Sequence, residues 1–136
     1  MDLYAENILD HYRSPRGTEP LSKPTVEHHE VNASCGDEIT VQLKIANGKI
    51  EGISWSGTGC AISQAAMSMF SEEIVHCPLS IVHSMKPKTI YDLLGVPIGP
   101  RRFKCALLCL HTLKNALRTY EKKKPQSWVE TAGVEK

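Results

Sequence analysis

The chain has 136 residues, 41% of them hydrophobic, which is enough to bury one core and too few for two ordinary domains. Sixteen basic against fifteen acidic residues leave a formal charge of +1, so there is no electrostatic footprint for duplex nucleic acid or an anionic membrane. Proteins and small ions are the partners that remain.

Residues 2 to 13 place Leu3, Ile8 and Tyr12 at mixed helical spacings, and Ser14-Pro15-Arg16-Gly17 ends the pattern because proline disfavours helix before it. A short amphipathic helix is predicted there, followed by an irregular connection over 18 to 26. From Glu38, the apolar residues Ile39, Val41, Leu43 and Ile45 alternate strictly, the period of a strand with one buried face. Asn47-Gly48 supplies a two-residue turn, and Ile50, Ile53 and Trp55 continue beyond it, which predicts a β-hairpin over 38 to 56. Glu27 to Val31 offers a third strand. After Gly57-Thr58-Gly59 the period changes: Ile62, Ala65, Ala66, Met69 and Phe70 fall on one helical stripe that runs until Pro78. Short helical or turn-like pieces are predicted between Ser80 and Leu94, before the break at Gly95-Val96-Pro97-Ile98-Gly99-Pro100. A final helix is predicted from about Cys105 to Lys122 with Ala106, Leu110, Leu113 and Leu117 as its core stripe, and the charged tail beyond Lys123 is expected to fray. The order of elements argues an α+β fold, a small antiparallel sheet of about three strands with helices on one face. One domain over 1–124 and a flexible tail over 125–136 complete the expected organisation.

No apolar run approaches the roughly 20 residues that cross a bilayer, and the opening MDLYAENILDHYR carries acids where a secretory or transit signal would not. A cytoplasmic protein without membrane partners is therefore expected. The five cysteines are odd in number and dispersed, which argues against a disulfide framework and for thiols that ligate a metal or act as nucleophiles.

Cys35 stands in Asn32-Ala33-Ser34-Cys35-Gly36-Asp37, a string of turn-formers before a strand. Gly36 frees the backbone beside it and Asp37 offers an oxygen ligand two residues away, although a tight turn with an incidental thiol reads equally well. Cys60 follows Gly57-Thr58-Gly59 and begins a helix, where unpaired N–H groups and the helix dipole favour thiolate; the alternative is a small buried residue at a helix start. Cys105 repeats that setting, with Arg101, Arg102 and Lys104 just upstream, so its thiolate is expected to be favoured too. Separations of 25 and 45 positions match no local zinc-finger spacing, so convergence of the three is a hypothesis about the fold. Cys109, one turn beyond Cys105, reads as a packing residue, and His76-Cys77 as a helix end before Pro78. His11, His28, His29, His83 and His111 form no HxH or HExxH array, and no Walker-type glycine loop or zinc deaminase signature is present.

These motifs, taken together, resemble the U-type iron-sulfur scaffold family, which includes the IscU, SufU and NifU N-terminal proteins. Asp10-His11-Tyr12-Arg13-Ser14-Pro15-Arg16 is similar to the family's opening helix and its exit. Asn32 to Asp37 is similar to its first ligand loop, Gly57-Thr58-Gly59-Cys60-Ala61-Ile62-Ser63 to its second, and Lys104-Cys105-Ala106-Leu107-Leu108 to its third. The resemblance implies a SufE/NifU-like fold and a metal site of Cys35, Asp37, Cys60 and Cys105, with the three cysteines as the cluster-binding thiolates. It implies partners, a cysteine desulfurase and iron-sulfur acceptor or carrier proteins, and a cargo, iron as Fe2+ and a transient 2Fe-2S cluster, with Zn2+ expected in the protein as purified. A non-enzymatic scaffold is the leading reading. The enzymatic alternative is a zinc-dependent sulfurtransferase with Cys105 as persulfide acceptor, and a structural zinc module is a third class.

Two departures from the family pattern stand out. Lys104 occupies the position where IscU proteins carry a histidine, as in the SufU pattern, yet the segment between Cys60 and Cys105 lacks the long insertion of SufU proteins. Gly99-Pro100-Arg101-Arg102 also differs from the Leu-Pro-Pro-Val-Lys stretch that IscU proteins offer a dedicated chaperone, so that partner is not expected.

Overall fold

The computed structural model describes residues 3–133. Strands β1 (Val26–Asn32), β2 (Asp37–Ala46) and β3 (Lys49–Thr58) form an antiparallel meander in the order β1-β2-β3. Period-two alternation sorts β2 cleanly: Asp37, Ile39, Val41, Leu43 and Ile45 are buried, while Glu38 and Lys44 face solvent. The hairpin turns at Asn47-Gly48 with φ of 55° and 71°, the paired positive values of a type I′ turn, as the Asn-Gly pair predicts.

Of the helices α1 (Leu3–Arg13), α2 (Ala61–Ile74), α3 (Leu79–Ser84), α4 (Pro87–Leu94) and α5 (Phe103–Tyr120), α5 lies on β1 and β2 and α2 on β3, while α1 packs on α2, α3 on α5, and α4 on both α2 and α5. The expected α+β architecture is therefore what the chain adopts. The helical stripes are wider than the sequence suggests. Every residue from Cys105 to Leu117 is buried, because α5 has the sheet on one side and α2, α4 and a C-terminal helix on the others. Side chains such as Phe70, Leu107 and Leu113, fully enclosed here, each contribute about 1.5–3 kcal/mol by burial.

Two expectations need correction. Helix α1 seats Ile8 and His11 against α2 and leaves Leu3 and Tyr12 exposed, so its inner face is the i, i+3 pair and not the stripe read from the sequence. His11 Nδ1 lies 2.7 Å from Ser68 Oγ, which also accepts the Arg16 N–H, fastening the helix and its exit to α2. Beyond Lys123 the chain forms α6 (Trp128–Ala132) where a frayed tail was expected. Ser127 and Glu130 close a capping box at its start, Trp128 stacks on His111 with ring centroids 4.1 Å apart, and Thr131 Oγ1 lies 2.6 Å from His111 Nδ1. The last part of that expected tail, 134–136, lies outside the described residues. Among the described residues no helix is long and apolar enough to cross a membrane.

Candidate metal centre

Three segments far apart in sequence meet where β1 turns into β2. The four-residue loop between these strands is closed by Cys35 N–H and Gly36 N–H, which both donate to Asn32 O at 3.2 and 2.9 Å. Gly36 takes a φ of 74°, the left-handed conformation that glycine adopts without strain, and Cys35 stands exposed at the loop's tip. Asp37 opens β2 in phase with Ile39 and Val41. The same alternation that builds the core therefore turns its carboxylate inward, where it is fully buried.

Cys60 arrives from the end of β3 as the N-cap of α2. The backbone must pass close over Asp37 to get there: a Cβ on Gly59, whose φ is 140°, would stand 2.9 Å from both Asp37 Cα and Asp37 Cβ. The absent side chain lets Cys60 N–H donate to Asp37 Oδ1 at 2.8 Å, while Asn32 Nδ2 donates to Asp37 Oδ2 at 3.3 Å. Both carboxylate oxygens thus tie the first two cysteine loops together.

Cys105 enters as the third residue of α5, which begins at Phe103, two residues earlier than expected. The residue is 2% exposed, and its sulfur lies 3.4 Å from Cys35 Sγ. Donor atoms of Cys35, Asp37 and Cys105 all lie within 4.8 Å of one another. Cys60 falls outside that mutual set, yet it lines the same pocket of about 270 Å³ with Cys35, Cys105, Arg101 and Arg102. A larger groove of about 550 Å³ runs past Tyr12, Trp55 and Gly57 to Gly59, but no thiol or carboxylate lines it, so the chemistry belongs to the smaller pocket.

The electrostatics of Cys105 reverse the sequence expectation. Burial pushes its thiol well above the ordinary cysteine range, and hydrogen bonding with Cys35 and Asp37 and the proximity of Cys60 push it further. Arg101 and Arg102 are exposed at the rim, where water screens them, and Lys104 leans away with Nζ 5.7 Å from the centre of the Trp128 ring. Desolvation outweighs the helix terminus here. A bound cation reverses that balance, since a coordinating thiol gives up its proton.

The remaining cysteines lie apart from this group. Cys109 is buried in the core with its thiol directed to Ala106 O, and Cys77 at the end of α2 points to Glu73 O. The histidines serve packing and polar contacts: His28, His111 and Asn115 surround the Glu30 carboxylate between β1 and α5, at 2.7, 3.5 and 3.0 Å. Burial alone would raise the Glu30 carboxyl, but hydrogen bonds with His111, His28 and Asn115 prevail and hold it below the ordinary carboxylate range. The sequence marks Asn32 only as a turn-former, whereas its amide reaches both Asp37 and Cys105 Sγ. No local sequence signal marks that role, because Asn32 comes to face Asp37 only through the β1–β2 register.

Three thiols and one carboxylate suit zinc, ferrous iron or an iron-sulfur centre by donor chemistry. The NifU-like N terminal domain family matches residues 3–127. The iron-sulfur cluster assembly scaffold protein IscU of Thermotoga maritima is 33% identical over 132 residues, covering 85% of this chain and 93% of that protein. The zinc-dependent sulfurtransferase SufU of Bacillus subtilis is 32% identical over 136 residues, covering 88% of this chain and 92% of that protein. Among solved structures, FiSufU from Fervidobacterium islandicum AW-1 superposes with a TM-score of 0.73 at 26% identity, over 82% of this chain and 94% of that one. Sequence and architecture agree across nearly the whole described chain, and the chain belongs to the NifU-like N-terminal domain family.

Proposed function

We propose that this protein is a scaffold for iron-sulfur cluster assembly, receiving sulfur from a cysteine desulfurase, combining it with Fe2+ on Cys35, Asp37, Cys60 and Cys105, and passing a 2Fe-2S cluster to acceptor or carrier proteins in the cytoplasm. The observation that carries this reading is the gathering of Cys35, Asp37 and Cys105 within 4.8 Å from separate loops, with Cys60 on the same pocket. The carboxylate gives the site its character. A hard oxygen is a poorer ligand for a soft cluster than a thiolate, which favours release over retention. Asp37 uses one acceptor position on each oxygen for Cys60 N–H and Asn32 Nδ2, and an ionised carboxylate has lone pairs to spare, so it could ligate without breaking either bond.

A second reading, a zinc-dependent sulfurtransferase, is favoured by Lys104 in place of a histidine and by the 32% identity to Bacillus subtilis SufU. In it, the Cys105 thiolate attacks the outer sulfur of a desulfurase persulfide; the S–S bond breaks, the desulfurase thiolate leaves, and Cys105 holds the persulfide. Anaerobic reconstitution with iron and sulfide decides between the two. Visible absorption that moves to an apo acceptor supports the scaffold. Tightly held zinc with accelerated desulfurase turnover supports the transferase, and neither result leaves a structural zinc module.

A further inference from the structure

Asn32 is the last residue of β1, 1% exposed, and pairs in register with Asp37. Its backbone oxygen closes the Cys35 loop, which any residue there would do. The side chain does something more specific. Nδ2 donates to Asp37 Oδ2 at 3.3 Å and to Cys105 Sγ at 3.8 Å, while Oδ1, buried, has no hydrogen-bond partner among the described residues. Burying an amide oxygen unpaired costs free energy, and most buried side-chain acceptors avoid it. Asn115 shows the ordinary arrangement: its Nδ2 donates to Glu30 and to Gln126 O, and its Oδ1 accepts from Gln126 N.

Turning the Asn32 amide over would not relieve the cost, because it would set one acceptor oxygen against the oxygen of Asp37. The orientation is imposed by the two acceptors that face it, a carboxylate and a sulfur. A neutral thiol is a feeble acceptor, whereas a thiolate takes charge-assisted hydrogen bonds, so the arrangement gains most when Cys105 is ionised on a metal.

We propose that Asn32 is a positioning residue of this site, its amide donating to Asp37 and to the Cys105 thiolate so that both negative ligands are held together and charge on the sulfur is stabilised. The inference rests on the metal reading given above.

Co2+ is the probe, titrated into the full chain, with Zn2+ affinity measured by competition against a chromophoric chelator. In Asn32→Leu, which keeps the shape and removes the donor, the sulfur-to-cobalt charge-transfer band should move to longer wavelength, because the sulfur lone pair loses its stabilising N–H. Zn2+ affinity should fall about tenfold, the scale of losing a partner behind a metal ligand. In Asn32→Ala, where water can enter and donate, the band should move less. Should Asn32→Leu fail to fold, the Ala variant carries the test, with any shift in the same direction. Bands and affinity identical to wild type in both variants, with only thermal stability lowered, would make Asn32 structural and overturn the inference. A wild-type protein that takes up neither Co2+ nor Zn2+ would instead overturn the metal reading itself.

Discussion

Gly59→Ala puts the site's geometry under the sharpest strain. The residue has a φ of 140°, a region side chains rarely adopt, and forcing alanine into it costs about 1–3 kcal/mol. The new methyl would also stand 2.9 Å from Asp37 Cα and Cβ, and both are backbone or near-backbone atoms of a paired strand that cannot swing aside. The Cys60 loop must therefore lift, breaking the Cys60 N–H to Asp37 Oδ1 bond of 2.8 Å, and a hydrogen bond to a charged group contributes about 1.5–3 kcal/mol. The two effects together predict a loss of roughly 3–5 kcal/mol, which for a chain of this size lowers Tm by about 10–15 °C. Differential scanning calorimetry of the metal-free protein measures that loss, and Zn2+ affinity, read by competition, should weaken because Cys60 is displaced from the other ligands. A Tm within about 2 °C of wild type, with zinc affinity unchanged, would refute the claim that the loop's approach to Asp37 builds the site.

Three further outcomes follow from the same geometry. Cys60→Ser should abolish metal binding and Cys77→Ser leave it intact, since Cys77 lies at the far end of α2; equal loss in both, by metal analysis, would contradict the ligand assignment. Asp37→Ala should slow cluster transfer to an apo acceptor, followed by the acceptor's visible spectrum, while destabilising the metal-free protein because Cys60 N–H and Asn32 Nδ2 lose their acceptor; an unchanged transfer rate would count against the labile role of the carboxylate. Stability should fall on acidification in two windows, set by the two partly buried groups that bind protons less readily when folded in that range. Burial lowers the His11 imidazole from 6.5, so its contribution is lost below about pH 6.5, and Glu30, held below its ordinary 4.5, loses its contribution as pH falls from about 5. Urea midpoints across pH should flatten below pH 5 in Glu30→Gln; an unaltered acid limb would remove Glu30 as its source.

Much of this architecture is legible along the chain because its signals are local. Alternation from Ile39 to Ile45 and the Asn47-Gly48 pair fix the hairpin by period and turn chemistry alone. Cys60 as a helix start follows from the glycines before it and the apolar stripe after it. What escapes a linear reading depends on the third dimension. Helix α6 spans only five residues amid charged and polar neighbours, and its capping pair Ser127 and Glu130 is overshadowed by them; its stability comes from Trp128 and Thr131 against His111. Three nearby cations and a helix terminus point toward a favoured Cys105 thiolate, but burial by its surroundings sets the direction. Proximity in sequence sets Asp37 beside Cys35; its role as the brace between Cys60 and Asn32 depends on the two loops meeting in space.

Zinc K-edge X-ray absorption on the purified protein tests the central claim most directly, because it counts the donors around the ion. The account predicts three sulfurs at about 2.3 Å and one oxygen at about 2.0 Å, with one sulfur lost in each of Cys35→Ser and Cys105→Ser. A shell with a histidine nitrogen, or with fewer than three sulfurs in the unmutated protein, would contradict it.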